Sequence, residues 1–134
     1  MDSKTHAHIV GESIAKLYFE LRGFYTYTNS SGKAEFDFVV SKDGLLYSVE
    51  VKTVSIPKEN SKGTYFEVQL KSVRSNTTVN AIKTFDKSKS DYLVVVNISQ
   101  NSVKVFETSV VAHTCSMRIY SNEFTPLEQL AELD

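Results

Sequence analysis

A mixed α/β fold is predicted by three observations. Apolar residues in the first two dozen positions recur at helical spacing, a succession of later segments alternates or runs apolar as strands do, and the C-terminal "TPLEQLAELD" reads as a helix again. The order of helix, run of strands and helix calls for a sheet with helices packed against it.

From Thr5 to Arg22, the residues Val10, Ile14, Leu17, Tyr18 and Leu21 fall at steps of three and four, and Gly23 follows as a stop. "FYTYTN" alternates as a half-buried strand, and "SSGKAE" breaks it into a loop. "FDFVV" and "LLYSVEVKTV" are rich in β-branched residues, and the Asp43-Gly44 pair in "SKDG" between them closes a hairpin. "SIPKENSKG" reads as a polar loop punctuated by Pro57 and Gly63, leading into the strand "TYFEVQLKSVR". Residues 75–90 are polar, with a short helix expected around Val79 to Phe85. "DYLVVVNI" is the pattern of a strand buried on both faces, and "SVKVFET" is its partner across "SQN". Thr125 as N-cap, Pro126 at the first helical position and Glu128 in a capping box start the closing helix.

Length and composition bound the function. With 134 residues, 41% apolar and 23% charged, the chain is expected to form a single domain over residues 1–134. The net charge of -1 and a pI near 6.3 supply no global field, so contact with a polyanion must come from local clusters of Lys and Arg. The single Cys115, the absence of a basic-then-apolar leader and the lack of an apolar run near the ~20 residues of a membrane span favour a reducing, cytoplasmic setting without a membrane partner. In that setting the sequons "NSS", "NTT" and "NIS" carry no glycan.

The chemistry lies in three charges placed where strands should bury hydrophobes: Asp37, Glu50 and Lys52. Alternation puts Glu50 and Lys52 on one face and Val49 and Val51 on the other. The hairpin brings Asp37 and Val39 to one face, with Phe36, Phe38 and Val40 on the opposite one. Two neighbouring carboxylates repel each other unless a cation lies between them, and a hard divalent ion such as Mg2+ (or Mn2+) suits oxygen donors. Such an ion polarises a phosphoryl oxygen, and a nearby Lys orients water or stabilises developing charge. The constellation points to phosphodiester hydrolysis.

"FD" and then, with twelve residues between, "EVK" resembles the PD-(D/E)XK nuclease superfamily, with Asp on one strand and Glu-x-Lys on the next. Phe36 stands where the signature has Pro. Glu12, in "GES", matches the helical Glu of archaeal Holliday-junction resolvases and group I intron homing endonucleases of this superfamily. The resemblance covers about residues 5–110, and the intron-encoded branch is nearer, on "GTYFEVQLKSVRS" and "SDYLVVVNISQNSVKVFETSVV". It implies an α/β, αβββαβ restriction-endonuclease-like core with a central mixed sheet flanked by helices. It also implies a Mg2+-dependent endonuclease hydrolysing phosphodiester bonds in double-stranded DNA. On this resemblance Asp37 and Glu50 are metal ligands, Glu12 is a further ligand directly or through water, and Lys52 orients the attacking water. No match extends beyond about Thr108.

One subunit offers one cleft, so cutting both strands calls for a homodimer or homotetramer. The alternatives are a Holliday-junction resolvase, a non-cleaving DNA-binding module of the same fold, and an unrelated α+β interaction domain. The expected DNA contacts are Ser31 and Lys33 in "NSSGKAE", then Lys58, Lys62, Lys71 and Arg74, with Gln69 sharing a face with Glu67 and Lys71. Lys83, Lys87 and Lys89 add to the same basic stretch.

Plainer readings stand beside these. A lone Glu-x-Lys on an exposed strand is a solvated ion pair worth ~0–1 kcal/mol; the joint order of four polar residues on their elements is what sets this one apart. Glu12 falls off the Val10, Ile14, Leu17 and Leu21 stripe, on the flank near Phe19. His6 and His8 read as a frayed end, with His8 one turn before Glu12. Cys115 reads as a small buried or semi-buried hydrophobe, and the tyrosines and phenylalanines as core first and base-stacking surface second.

Overall fold

The computed structural model describes residues 3–28, 36–70, 72–75, 80–83, 90–111 and 115–130. Helix α1 spans Ser3–Leu21 and is followed by an antiparallel meander of β1 (Tyr25–Thr28), β2 (Phe38–Lys42) and β3 (Leu45–Val54). Two hairpins come next: β4 (Lys58–Asn60) with β5 (Gly63–Gln69), and β6 (Ser72–Ser75) with β7 (Asn80–Lys83). Strand β8 (Tyr92–Asn97) then pairs in parallel with β3 and antiparallel with β9 (Ser102–Glu107). Strand β10 (Ser116–Tyr120) returns to β5, β11 (Thr125–Pro126) to β9, and α2 spans Leu127–Leu130.

The result is the predicted mixed α/β class: a six-stranded sheet, β1-β2-β3-β8-β9-β11, and a smaller one, β10-β5-β4. Local chemistry explains the meander. Asp43 and Gly44 hold positive φ angles of 53° and 79°, the left-handed pair that a two-residue hairpin turn requires. The parallel step from β3 to β8 needs a crossover of a dozen or more residues. That crossover carries the β4–β5 hairpin, which doubles back over the sheet.

Two cores follow from strand alternation. On one face Phe38, Val40, Val49, Val51, Val94 and Val96 meet Ile14, Ala15 and Phe19 of α1. On the other face Val54, Leu93 and Val95 meet Phe66, Val68 and Leu70 of the smaller sheet, with Met117 and Ile119 of β10. Val94, Val95 and Val96 are wholly buried, so β8 is the two-faced strand its sequence announces. Each such side chain contributes about 1.5–3 kcal/mol on burial. Among the described residues no helix is long and apolar enough to cross a membrane.

The structure departs from the sequence reading in several places. The buried stripe of α1 is Gly11, Ile14, Ala15 and Phe19, while Leu17 and Leu21 are more than two-fifths exposed. Small residues, which carry little weight in a hydrophobicity pattern, let the helix approach the sheet closely. His6 and His8 lie within α1, so they are not at a frayed end. The expected helix around Val79 to Phe85 is contradicted at Asn80–Lys83, a strand whose Ile82 stands opposite Val73. Lys58–Asn60, expected as loop, is an exposed strand, and Thr125–Pro126 joins the sheet so that the last helix starts at Leu127. In each case cross-strand pairing outweighs local propensity.

Gly11 is where the helix and sheet come closest, because a Cβ built there would run into Thr53 Cγ2. Gly→Ala inside a helix ordinarily gains ~1 kcal/mol. Here Gly11→Ala is expected to lower stability in urea unfolding by about 1–3 kcal/mol through overpacking. Thr53→Ser in the double variant, by removing that methyl, restores most of the loss.

Candidate functional site

The site begins where the β2–β3 ladder ends. Phe38 and Val49 form the terminal ladder pair, and the Asp37 N–H donates to the Val49 carbonyl at 2.8 Å. Beyond that point the Val51 N–H has no strand carbonyl from β2, and it donates instead to Asp37 Oδ2 at 2.7 Å. A buried amide needs such a partner. Asp37 is thereby anchored through one oxygen to the strand that carries Glu50, near enough for its charge to act on the Glu50 carboxyl.

Lys52 Nζ lies 3.6 Å from Glu50 Oε1. The Glu50 carboxyl is raised above its ordinary value of 4.5: burial is the largest cause, the Lys52 ammonium pulls it back, and the Asp37 carboxylate pushes it further up. Two acids and one amine therefore lie together half-buried, and one acid is held in an environment that disfavours its charge.

The helix supplies a third carboxylate. His8 Nε2 lies 3.7 Å from Glu12 Oε2 and 3.8 Å from Asp37 Oδ1, so one imidazole bridges the helix and the start of β2. Glu12 is half-buried at the edge of the stripe, on the Phe19 side expected of it. The sequence reading leaves His8 at a frayed end, and its spacing four residues before Glu12 is the available signal. Among the described residues no three His, Cys, Asp or Glu side chains gather tightly enough to cage an ion by themselves.

Asp91 had no assigned role, and it locks the register beneath the site. Its N–H donates to the Ser48 carbonyl at 2.9 Å, and its Oδ2 accepts from the Ser48 N–H at 2.9 Å and the Ser48 hydroxyl at 3.3 Å. Ser48 lies two residues before Glu50 on β3. The clamp therefore fixes the start of the parallel β3–β8 pairing.

The other expected positions are dispersed. Lys58, on exposed β4, pairs with Glu67 at 3.2 Å, and Gln69 Nε2 donates to Glu67 Oε1 at 3.3 Å. Because Phe66, Val68 and Leu70 turn into the core, Glu67 and Gln69 point away from Glu50 and Lys52. Lys62 lies exposed in the β4–β5 turn, its N–H donating to Asn60 Oδ1 at 2.8 Å. Arg74 lies on β6, and its side chain falls outside the description, as do Ser31, Lys33, Lys71, Lys87 and Lys89. Cys115, expected as a small buried or semi-buried hydrophobe, is exposed.

No protein-family model matches the chain, and no curated protein matches it in sequence. Its fold is similar to that of a bacterial homing endonuclease, I-Ssp6803I, with a TM-score of 0.75 and 16% identity over 90% of this chain and 80% of that one. At that identity the likeness is one of fold.

The environment of Glu50 has a measurable consequence. Its raised folded value means that the neutral carboxyl contributes stability that is full below 4.5 and is lost as pH rises through the folded value. Glu50→Gln, neutral at every pH, is expected to melt higher than the parent at pH 7.5. The gap should shrink as the pH falls towards 4.5, as followed by thermal denaturation across that range.

Proposed function

We propose that this protein is a metal-dependent DNA endonuclease of the PD-(D/E)XK kind, nearest in character to homing endonucleases. The observation that carries the reading is the Asp37–Glu50 rung with Lys52 3.6 Å from Glu50, set in a fold similar to a homing endonuclease. A module freed of catalysis gains nothing from clustered acids facing a polyanion.

The donors fit Mg2+ or Mn2+. They are carboxylate oxygens, too few for a protein cage, and Mg2+ is commonly held by one or two carboxylates with waters and substrate phosphate completing the shell. Asp37, through Oδ1, and Glu50 would hold the ion, with Glu12 reaching it directly or through water. When bound, such an ion supplies Lewis-acid polarisation of a phosphoryl oxygen and lowers the pKa of water. Asp37 is pre-positioned by the Val51 N–H. Lys52 orients the attacking water and stabilises charge developing on the phosphate. Lys62, with Ser31, Lys33, Lys71 and Arg74, supplies backbone contacts, while Lys58 and Gln69 join them by releasing Glu67. Each chain carries one such rung, so cutting a duplex takes a homodimer or homotetramer.

The test is incubation of the purified protein with supercoiled plasmid, linear duplex and a four-way junction, with Mg2+ and with chelator. Cleavage is expected with Mg2+ and not with chelator. Lys52→Ala is expected to lower the cleavage rate by about 10²-fold or more while sparing DNA binding. Undiminished cutting by that variant would overturn the mechanism, and preferential cutting of the junction would move the reading to a resolvase.

A further inference from the structure

The smaller sheet covers half of one face of the large sheet and leaves the rest open. Leu93, Val95 and Val54 lie under Phe66, Val68 and Leu70, whereas on the same face of β1, β2 and the first half of β3 the side chains of Tyr25, Tyr27 and Leu46 stay exposed. Its residues follow from the register. Tyr27, Val39 and Ser48 form one rung, and Tyr25, Ser41 and Leu46 the next. Tyr25 is 72%, Tyr27 52% and Leu46 68% exposed. Thr26 faces the helix instead, where its hydroxyl bonds Glu20.

This open face runs on into Glu50, which follows Leu46 and Ser48 on the same side of β3. Two residues of strand advance ~7 Å, so the tyrosine rungs lie ~7 Å and ~14 Å from Glu50 along one surface. We propose that this face seats the DNA duplex beside the scissile phosphate, with Tyr27, Tyr25, Ser41 and Ser48 as sugar-phosphate contacts and Leu46 and Val39 as an apolar floor. The proposal rests on the nuclease reading above.

Two observations favour DNA as the occupant. The first is continuity: a duplex whose phosphate reaches Asp37 and Glu50 has grooves of about 6–12 Å, the same scale as the run of rungs, and so must lie over them. A second copy of the chain seated here would abut the rung that has to admit that phosphate. The second is chemistry. Tyr and Ser hydroxyls are ordinary phosphate-contact groups, and Tyr27 and Ser41 bring theirs within 3.4 Å of each other. The acid that touches this face, Asp91, is turned onto Ser48. Exposed apolar side chains grouped on one face mark an interaction surface, since monomers rarely leave such patches uncovered.

The experiment changes charge at Leu46, an exposed position outside the acidic rung. Binding of a 5′-labelled duplex of roughly 40 base pairs is followed by fluorescence anisotropy across a salt series, with Ca2+ replacing Mg2+ to suppress cleavage. The chains compared are the parent, Leu46→Lys, Leu46→Glu and Tyr27→Ala. Circular dichroism verifies their fold, and sedimentation gives their mass. Leu46→Lys is expected to tighten binding about three- to ten-fold and to steepen the log K against log salt slope by about 0.9, with Leu46→Glu and Tyr27→Ala weakening binding at unchanged mass. The proposal is overturned if both Leu46 variants bind within two-fold of the parent. It is also overturned if Leu46→Glu splits the oligomer and DNA affinity falls in step with mass, which would assign the face to a second copy. A parent that neither binds nor cuts DNA sinks the nuclease reading itself, whereas a parent that cuts while the Leu46 variants are silent sinks this inference alone.

Discussion

The alternation of β3, held in a single register, is the constraint on which the rest of the structure depends. Val49 and Val51 fill the helix-side core while Glu50 and Lys52 point to the opposite face. A slip of one residue would drive both charges under α1 and expel two valines. Three contacts oppose that slip: the two-residue turn at Asp43-Gly44, the parallel ladder to the fully buried β8, and the Asp91–Ser48 clamp at the ladder's start. The same clamp that secures the fold thus sets the height of the acids along the sheet.

Each acid in the cluster is placed by a different device, which separates position from stability. Asp37 stands in for a missing strand carbonyl, so its geometry is a by-product of backbone satisfaction. Glu12 is brought near by the close approach of α1 at Gly11 and is tied to Asp37 through His8. Glu50 is held against its preference, half-buried and beside another carboxylate, with Lys52 as partial relief. A folded chain keeps such a group only where surrounding packing over-determines it, and the valine ladder on either side of Glu50 does so.

The parts of this arrangement legible in the sequence were the local ones. Asp-Gly between β-branched runs determined the hairpin, and period-two alternation then determined that Glu50 and Lys52 share a face. What escaped was decided by partners distant in the chain. The buried stripe of α1 is built on Gly11 and Ala15, so the larger Leu17 and Leu21 misdirected the helical wheel. Lys58–Asn60 and Asn80–Lys83 are polar strands that exist because β5 and β6 lie beside them. Strand β10 did show alternation, with Met117 and Ile119 against Ser116, Arg118 and Tyr120, but nothing in its own sequence says that it returns to β5 across more than a third of the chain. His8 was visible only as a helical neighbour of Glu12, since its approach to Asp37 is a tertiary fact.

The boundary between the covered and open halves of the large sheet explains why the cluster lies where it does. A carboxylate in open water has no reason to change its protonation, and one beneath the smaller sheet has no route to a substrate. Leu93 and Val95, the neighbours of Glu50 and Lys52 on β8, are roofed by Phe66 and Val68, while Asp37 on the opposite side adjoins the uncovered strands. Desolvation acts from one side and access remains from the other. The crossover that parallel pairing demands is what supplies the roof, so the topology required to set β3 beside β8 also creates the step at whose foot the acids stand. A longer roof would bury the tyrosine rungs together with the acids, and a shorter one would leave Glu50 without the low-dielectric flank that raises its carboxyl.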